Sequence, residues 1–466
     1  MADRQIVIIG GGFSGTALAI NLARQGEAGL KVTIIEPRAQ LAQGVAYGTR
    51  DPAHRINVPA ARMQLSAAEE GDFDRWFRAS AVCQQDPKAL WSDGSLYPQR
   101  GQFGAYIAEK LATAMETSAV QVTHVQDYAV ALQDGVVLTA SGNKYPADDV
   151  VLAISHPPPA VPKQFQQALK DHPGLIANPW QVDALAEVDN QAWVAIIGSG
   201  LTMSDVVASL HRQGHRGPIL AFSRRGQLPR PNLTRNDATR QLDYQRPQAA
   251  TALGWLRRVR QEVRQAKAEG LPWQLVLDDI RSHGQQIWQQ WSLKEQRRFL
   301  RHLRPWWDVH RYRIAPQVSE VLTQLQQTGH LKVLAARLQQ VAVDKRAIVL
   351  SLKARGKAGA ETLAVDNLIV TTGPAHGALL ESDALLKQLA TEGLIQPDPL
   401  ALGIWVDAHS RPINRQGQSQ AHLYVAGPAA RGRFGELMGL PQVAQHAESL
   451  AQQLLAPSPT KPIKKA

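Results

Sequence analysis

Apolar residues run unbroken at Ile6-Val7-Ile8-Ile9 and stop at Gly10-Gly11-Gly12. A short apolar run bounded by glycines predicts a strand buried on both faces. Helical spacing starts at about Ser14 and ends near Gly26; a second strand, Lys31 to Ile35, then delivers Glu36. Asp72–Ala79 and Gly101–Thr117 read as helices. Ala129–Leu132 and Val136–Thr139 are short strands joined by a Gln133-Asp134-Gly135 turn. The apolar strand Asp149–Ile154 is stopped by Ser155-His156-Pro157-Pro158-Pro159, which forces an extended exit.

The same signals then recur. The strand Val194–Ile197 meets Gly198-Ser199-Gly200. A helix follows with Met203, Val206, Val207 and Leu210 on one face, and Gly214 stops it. Ile219–Phe222 is the next strand. Lys332–Ala335, Val341–Val343 and Ile348–Leu352 are predicted as three further strands. Leu368–Thr372 ends in Gly373-Pro374, in the form of Val150–Pro157. The last strand and turn span His422–Pro428, and a helix runs from about Pro441 to Leu455. Each copy is a glycine turn, a helix, a β-meander and an apolar strand. The first spans Gly10 to Ser155 and the second, longer by a helical insert, Gly198 to Gly373.

Both glycine turns carry chemistry. Gly10, Gly12 and Gly15 have the G-x-G-x-x-G spacing. The first glycine makes the tight turn, the second lets the backbone approach a pyrophosphate, and the third lets helix and strand pack closely. Glu36 lies 21 residues after Gly15, where a ribose hydroxyl acceptor belongs. The second turn keeps Gly198 and Gly200 but has Met203 as its third member. Where the first unit has Glu36, this one has Ser223-Arg224-Arg225. Guanidiniums there suit a 2′-phosphate, so NADPH is expected over NADH.

Composition adds exclusions. Forty-four per cent of the 466 residues are hydrophobic and twenty per cent charged, as in a globular protein, and no apolar run is long enough for a membrane span. No signal peptide precedes the first strand, so the expected location is cytoplasmic. The net charge of +11 suits anionic dinucleotides; with no nucleic-acid motif, no nucleic acid is expected as a partner. Cys83 is the single cysteine, which excludes an internal disulfide, a C-x-x-C redox pair and a cysteine zinc cluster; no metal is expected.

The insert, about 236–313, is rich in Arg, Gln and Trp. Trp255, Trp273, Trp288 and Trp291 are read as core. Pro305–Arg313 packs two indoles, an imidazole, a carboxylate and guanidiniums together, too polar for a core helix. It is expected to face the cleft between the nucleotide units, with Asp308 and His310 as candidate catalytic groups. The fold class is therefore α/β, with two nested Rossmann-like dinucleotide-binding domains and a helical insert. The expected boundaries are 1–165 for the first part of one domain, 166–345 for the second domain and 346–456 for the return to the first. The Pro/Lys-rich tail, 457–466, is expected to be disordered.

Two nested dinucleotide folds make the two-nucleotide flavoprotein fold. Gly10–Gly15, Gly44–Thr49, His54–Met63, Gly198–Asp205, Ser223–Gly226, Trp307–Arg313 and Arg431–Leu440 together resemble the bacterial FAD/NAD(P)-binding proteins related to lysine and ornithine N-hydroxylases and FAD-dependent urate hydroxylases. The resemblance implies FAD on Gly10, Gly12, Phe13, Ser14, Gly15, Glu36 and Pro37. It implies NADPH on Gly198, Ser199, Gly200, Leu201, Thr202, Ser223, Arg224 and Arg225. His54–Met63, with Asn57 and Val58, and Gly427–Leu440 would flank the isoalloxazine. Ser155 departs from the family pattern where a glycine is common, and Pro428 where many flavoproteins place an aspartate. The implied activity is FAD-dependent, NADPH-using oxidation, foremost a monooxygenase hydroxylating a small nitrogen-containing substrate. A reductase passing electrons to another acceptor and a non-catalytic dinucleotide sensor are the alternatives.

Overall fold

The last four residues of β1 (Arg4–Ile9) are buried, which is why that run lacks polar alternation. The computed structural model describes residues 4–234, 238–245 and 249–456; the tail from 457, and Asn236 where the sequence pattern starts the insert, lie outside them. β2 (Leu30–Ile35) pairs parallel with β1, Ile6 opposite Val32, and β3 (Gln121–Val125) continues outward. β4 (Ala129–Gln133), β5 (Val136–Thr139) and β6 (Lys144–Pro146) form a separate antiparallel meander. β7 (Asp149–Leu152) returns to the other side of β1.

The second unit repeats this plan. β8 (Leu175–Ile176), β9 (Val194–Ile197), β10 (Ile219–Ser223), β11 (Leu331–Asp344), β12 (Ala347–Ala354), β13 (Glu361–Val365) and β14 (Asn367–Val370) form one sheet in the order β13-β12-β11-β10-β9-β14-β8. β15 (Leu423–Val425) rejoins the first sheet, whose order is β15-β7-β1-β2-β3. In each sheet the glycine turn leaves the strand from which the order runs both ways. Ligands of open α/β sheets bind at that switch point.

Three expectations are corrected. Lys332–Ala335 and Val341–Val343 are one strand, β11. It pairs parallel with β10 over its first five residues and antiparallel with β12 beyond them, with a bulge between Leu338 and Gln340. Arg337, Gln339 and Gln340 are exposed on it, so a polar stretch read as a break is the outer face of a hairpin. The expected return to the first domain at 346 falls too early, because β12, β13 and β14 all belong to the second sheet and the chain leaves it only after Val370. The expected first boundary at 165 falls too late: Val161 and Phe165 already pack in the second sheet's core.

The helix Phe13–Gln25 packs between the helices Arg100–Thr117 and Gln442–Leu455. The units are joined by polar bonds from the loop after β2. Arg55, held bidentately by Asp86, accepts at its carbonyl from Arg100 Nε, and Arg100 pairs with Asp205 at 2.9 Å on the helix Leu201–Arg212. His54 Nε2 lies 3.0 Å from Ser209 Oγ on that helix, and Asn232 Nδ2 donates to the carbonyls of Asn57 and Ile314. Among the described residues no helix is long and apolar enough to cross a membrane.

Candidate functional site

The first glycine turn is fixed by contacts that only glycine permits. Gly10 has φ +105°, and a Cβ there would lie 2.3 Å from the Ala153 carbonyl oxygen; a Cβ on Gly15 would lie 1.9 Å from that of Gly10. The helix from Phe13 therefore starts hard against the turn, with its free N–H groups beside it. Thr16 Oγ donates to the Gly11 carbonyl and accepts from Ala42 N–H, which also donates to the Gly11 carbonyl. This ties down the strap that leads to Gly44, whose Cα faces Gly12.

Glu36 is brought to the same place but does not stand free. It is buried; Oε2 accepts from Gly11 N–H at 2.8 Å, and Oε1 accepts from Arg38. Pro37 follows it, half-buried. Phe13 packs its ring on Tyr47 and Phe103. Ser14 meets Gly427, where a Cβ would lie 2.3 Å from Ser14 Oγ. Gly427 N–H donates to His446 Nδ1, which places the ring proton on Nε2 toward Ser410 Oγ at 2.8 Å. Burial pushes the His446 pKa down to about 4, so the ring stays a neutral acceptor. Sequence reasoning missed His446; its only signal was a polar residue on the helix's apolar face, beside Val443 and Ala447. Asn57 and Val58 lie at the junction with the second unit, Asn57 bonded through Asn232.

In the second turn Gly198 has φ +116° and closes on Thr371, whereas a Cβ on Gly200 would meet no protein atom within 4 Å. The turn thus presents open space where a phosphate would approach Leu201 and Thr202. Ser199 Oγ donates to the Gln227 carbonyl and bonds Ser223 Oγ, and Ser223 Oγ also accepts from Gly226 N–H, so both serines shape the turn. Arg224 is exposed, and Arg225 lies 5.4 Å from the centre of the Trp306 ring. Trp306 of the Pro305–Arg313 segment thus reaches Arg225.

That segment is the helix Arg304–Arg311 and lines a cavity of about 800 Å³. Trp255, Trp288 and Trp291 belong to the insert's hydrophobic core and Trp273 packs against it, as expected, and all four also line the cavity. Opposite stand Arg431, Gly435 and Glu436. This loop is clamped by the insert: Trp288 Nε1 donates to the Gly432 carbonyl, Trp307 Nε1 and Arg311 donate to the Glu436 carboxylate, and Arg281 donates to the Leu440 carbonyl. Gly435, at φ +72°, would drive a Cβ within 2.5 Å of the Trp288 ring.

Burial pushes the Glu436 carboxyl up, but Arg311, Trp307 and Arg281 together hold it below its usual range. Burial raises Asp308, and Arg304, 3.3 Å away, and Arg431 only partly oppose it. Asp308 and His310 both line the cavity; His310 Nδ1 lies 2.7 Å from the Trp306 carbonyl. His156 and His376 pack at 5.4 Å where the chain crosses between units, and burial, then Arg431, lower them to about 4 and about 3. No group of three or more metal-ligating side chains occurs among the described residues.

Residues 7–157 match the model of a family described as FAD-NAD(P)-binding. The reduced form of ornithine hydroxylase from Pseudomonas aeruginosa superposes with a TM-score of 0.60 at 16% identity, over 98% of this chain and 99% of that one. An ornithine N-hydroxylase from Kutzneria, solved with reduced FAD, NADP+ and L-ornithine, gives 0.60 at 15%, over 97% and 98%. L-lysine 6-monooxygenase from Pseudomonas syringae gives 0.61 at 14%, over 97% and 99%. No curated protein matches the sequence. The N-terminal unit is thus an FAD-NAD(P)-binding domain. The whole chain has the two-dinucleotide fold shared by these enzymes.

Proposed function

We propose that this chain is an FAD-dependent, NADPH-using monooxygenase that hydroxylates a small nitrogen-containing substrate. The observation that carries the reading is the tryptophan-lined cavity, apart from both glycine turns. None of its lining residues belongs to either glycine turn, and its wall is the loop Arg431–Glu436, next to Gly427 and the first turn. A monooxygenase needs a concave, largely apolar place for a third small molecule beside its cofactors. A reductase serving a partner protein needs an exposed edge instead. The fold shared end to end with ornithine and lysine hydroxylases supports the same reading.

Bound FAD would take hydride from NADPH and supply the reactivity toward O2. The residues of the chain bind and orient. Gly12, Phe13, Ser14 and Gly15 would offer backbone N–H groups to the FAD pyrophosphate, Gly10, whose N–H donates to the Ile35 carbonyl, would make the turn, and Glu36 and Pro37 would close the ribose side. Asn57, Val58 and Gly427 border the ring system, with the Gly427 amide fixed by His446. Gly198, Gly200, Leu201 and Thr202 form the NADPH phosphate cradle, shaped by Ser199 and Ser223. Arg224 takes the 2′-phosphate, and Arg225 links that site to Trp306. Asp308 and His310 line the cavity wall, where burial raises the Asp308 carboxyl against the pull of Arg304.

The test is NADPH oxidation and oxygen uptake by purified protein, screened against amines, amino acids and purines. One NADPH and one O2 consumed per hydroxylated product, with water and NADP+ released, is the expected result. NADPH oxidation that no such compound stimulates, with electrons passing to a quinone, would favour the reductase.

A further inference from the structure

The cavity is unlike a site for a short, doubly charged amino acid. At roughly 30 Å³ per non-hydrogen atom in a liquid, it holds on the order of 25 such atoms, far more than ornithine or lysine needs. Most of its wall is apolar: Trp255, Val259, Val263, Trp288, Phe299 and Leu303 are representative. Its charged lining is four guanidiniums, on Arg260, Arg264, Arg304 and Arg431, against two carboxylates, on Asp308 and Glu436. Both carboxylates already have partners: Arg304 on Asp308, and Arg311 with Trp307 on Glu436. Arg431 has none. Its side chain makes no hydrogen bond or ion pair among the described residues, Nε is buried without a partner, and the residue is only 7% exposed. A buried guanidinium left unpaired is costly unless an anion completes it.

We propose that the cavity binds an amphipathic carboxylic acid, its bulky alkyl or aryl body held by the tryptophan-lined wall and its carboxylate paired with Arg431. The inference deepens the monooxygenase reading and rests on it for the reaction: the oxidised nitrogen would belong to this acid. An ammonium head is disfavoured because the available charge is positive and both carboxylates are engaged.

Protein loaded with FAD is titrated calorimetrically with decanoate, decanol, decylamine and L-ornithine. Decanoate binds at least about tenfold tighter than decanol or decylamine, as a charge-assisted hydrogen bond requires. Arg431→Gln brings decanoate to within about threefold of decanol. Val263→Trp, which narrows the space for the apolar body, weakens both alike. Decylamine or ornithine binding as well as decanoate overturns the proposal, and so does a decanoate preference that survives R431Q. If R431Q does not fold, the ranking of the four compounds on the unaltered protein decides. Decanoate preference without any oxygen-coupled oxidation supports the cavity assignment and removes the monooxygenase reading. Coupled hydroxylation of ornithine without decanoate binding does the reverse.

Discussion

Gly200→Ala separates ligand contact from folding more cleanly than any other change in the two turns. The backbone there has φ −94° and ψ −159°, extended geometry that alanine adopts, and an added methyl meets no protein atom within 4 Å. Alanine is a poorer helix N-cap than glycine by some tenths to about 1 kcal/mol. Lower unfolded-state entropy returns about 0.4–1 kcal/mol. The two offset, and for a chain of this size the melting temperature should move by no more than about 3 °C. The methyl does occupy the space into which a dinucleotide phosphate must come. Losing one charge-assisted hydrogen bond from backbone N–H to phosphate costs roughly 1.5–3 kcal/mol, or about ten- to hundredfold in NADPH affinity. Gly15→Ala is the contrast: its methyl would lie 1.9 Å from a carbonyl oxygen, so the helix must shift and stability and FAD retention fall together. The assay is NADPH titration with a thermal melt on the same samples. Wild-type affinity in G200A would refute the phosphate placement, and a large fall in its melting temperature would refute the open-space argument.

Arg224→Ala should weaken NADPH about ten- to hundredfold and leave NADH nearly unchanged, measured by flavin reduction at matched concentrations; equal losses would show that the arginine does not read the 2′-phosphate. Arg100→Met leaves Asp205 buried without its partner and should cost about 3–5 kcal/mol in denaturant unfolding. Arg212→Met, which breaks the half-exposed pair with Asp51, should cost under about 1 kcal/mol; similar losses for the two would remove the claim that the buried pair joins the units. Folded His446 stays neutral down to about pH 4, whereas the unfolded ring takes a proton below its ordinary value of about 6.5. The unfolded state therefore binds more protons between those values, and stability, with FAD retention, is lost as pH falls through that window. His446→Gln should make that loss shallower, with His156 and His376 contributing the remainder, which a pH series of thermal melts would show.

Much of the fold was legible because it is written in periodicity. β1 and β9 are continuous apolar runs ending in glycines, and both became the strands from which the sheets run out in two directions. The duplicated plan was visible for the same reason. What the pattern could not show was which residues meet across the chain. Arg100 and Asp205 lie 105 residues apart and read as ordinary polar positions on two helices. The β11 hairpin was split because its outer face is polar. Trp255, Trp288 and Trp291 are buried, as a core reading requires, and they also line a cavity, which leaves no mark in hydrophobic spacing. Arg431 looked like one more basic residue of a basic chain; only its burial without a partner makes it distinctive. Asp308 and His310 stood out by density of functional groups, and that signal led to the cavity wall.

The most direct test of the central claim is the flavin spectrum of the purified protein under nitrogen as NADPH is added. The purified protein should be yellow with one FAD per chain, bleached by NADPH faster than by NADH at equal concentration and restored to colour by air. A colourless protein that takes up no FAD on titration, or a flavin that NADPH does not bleach, would contradict it.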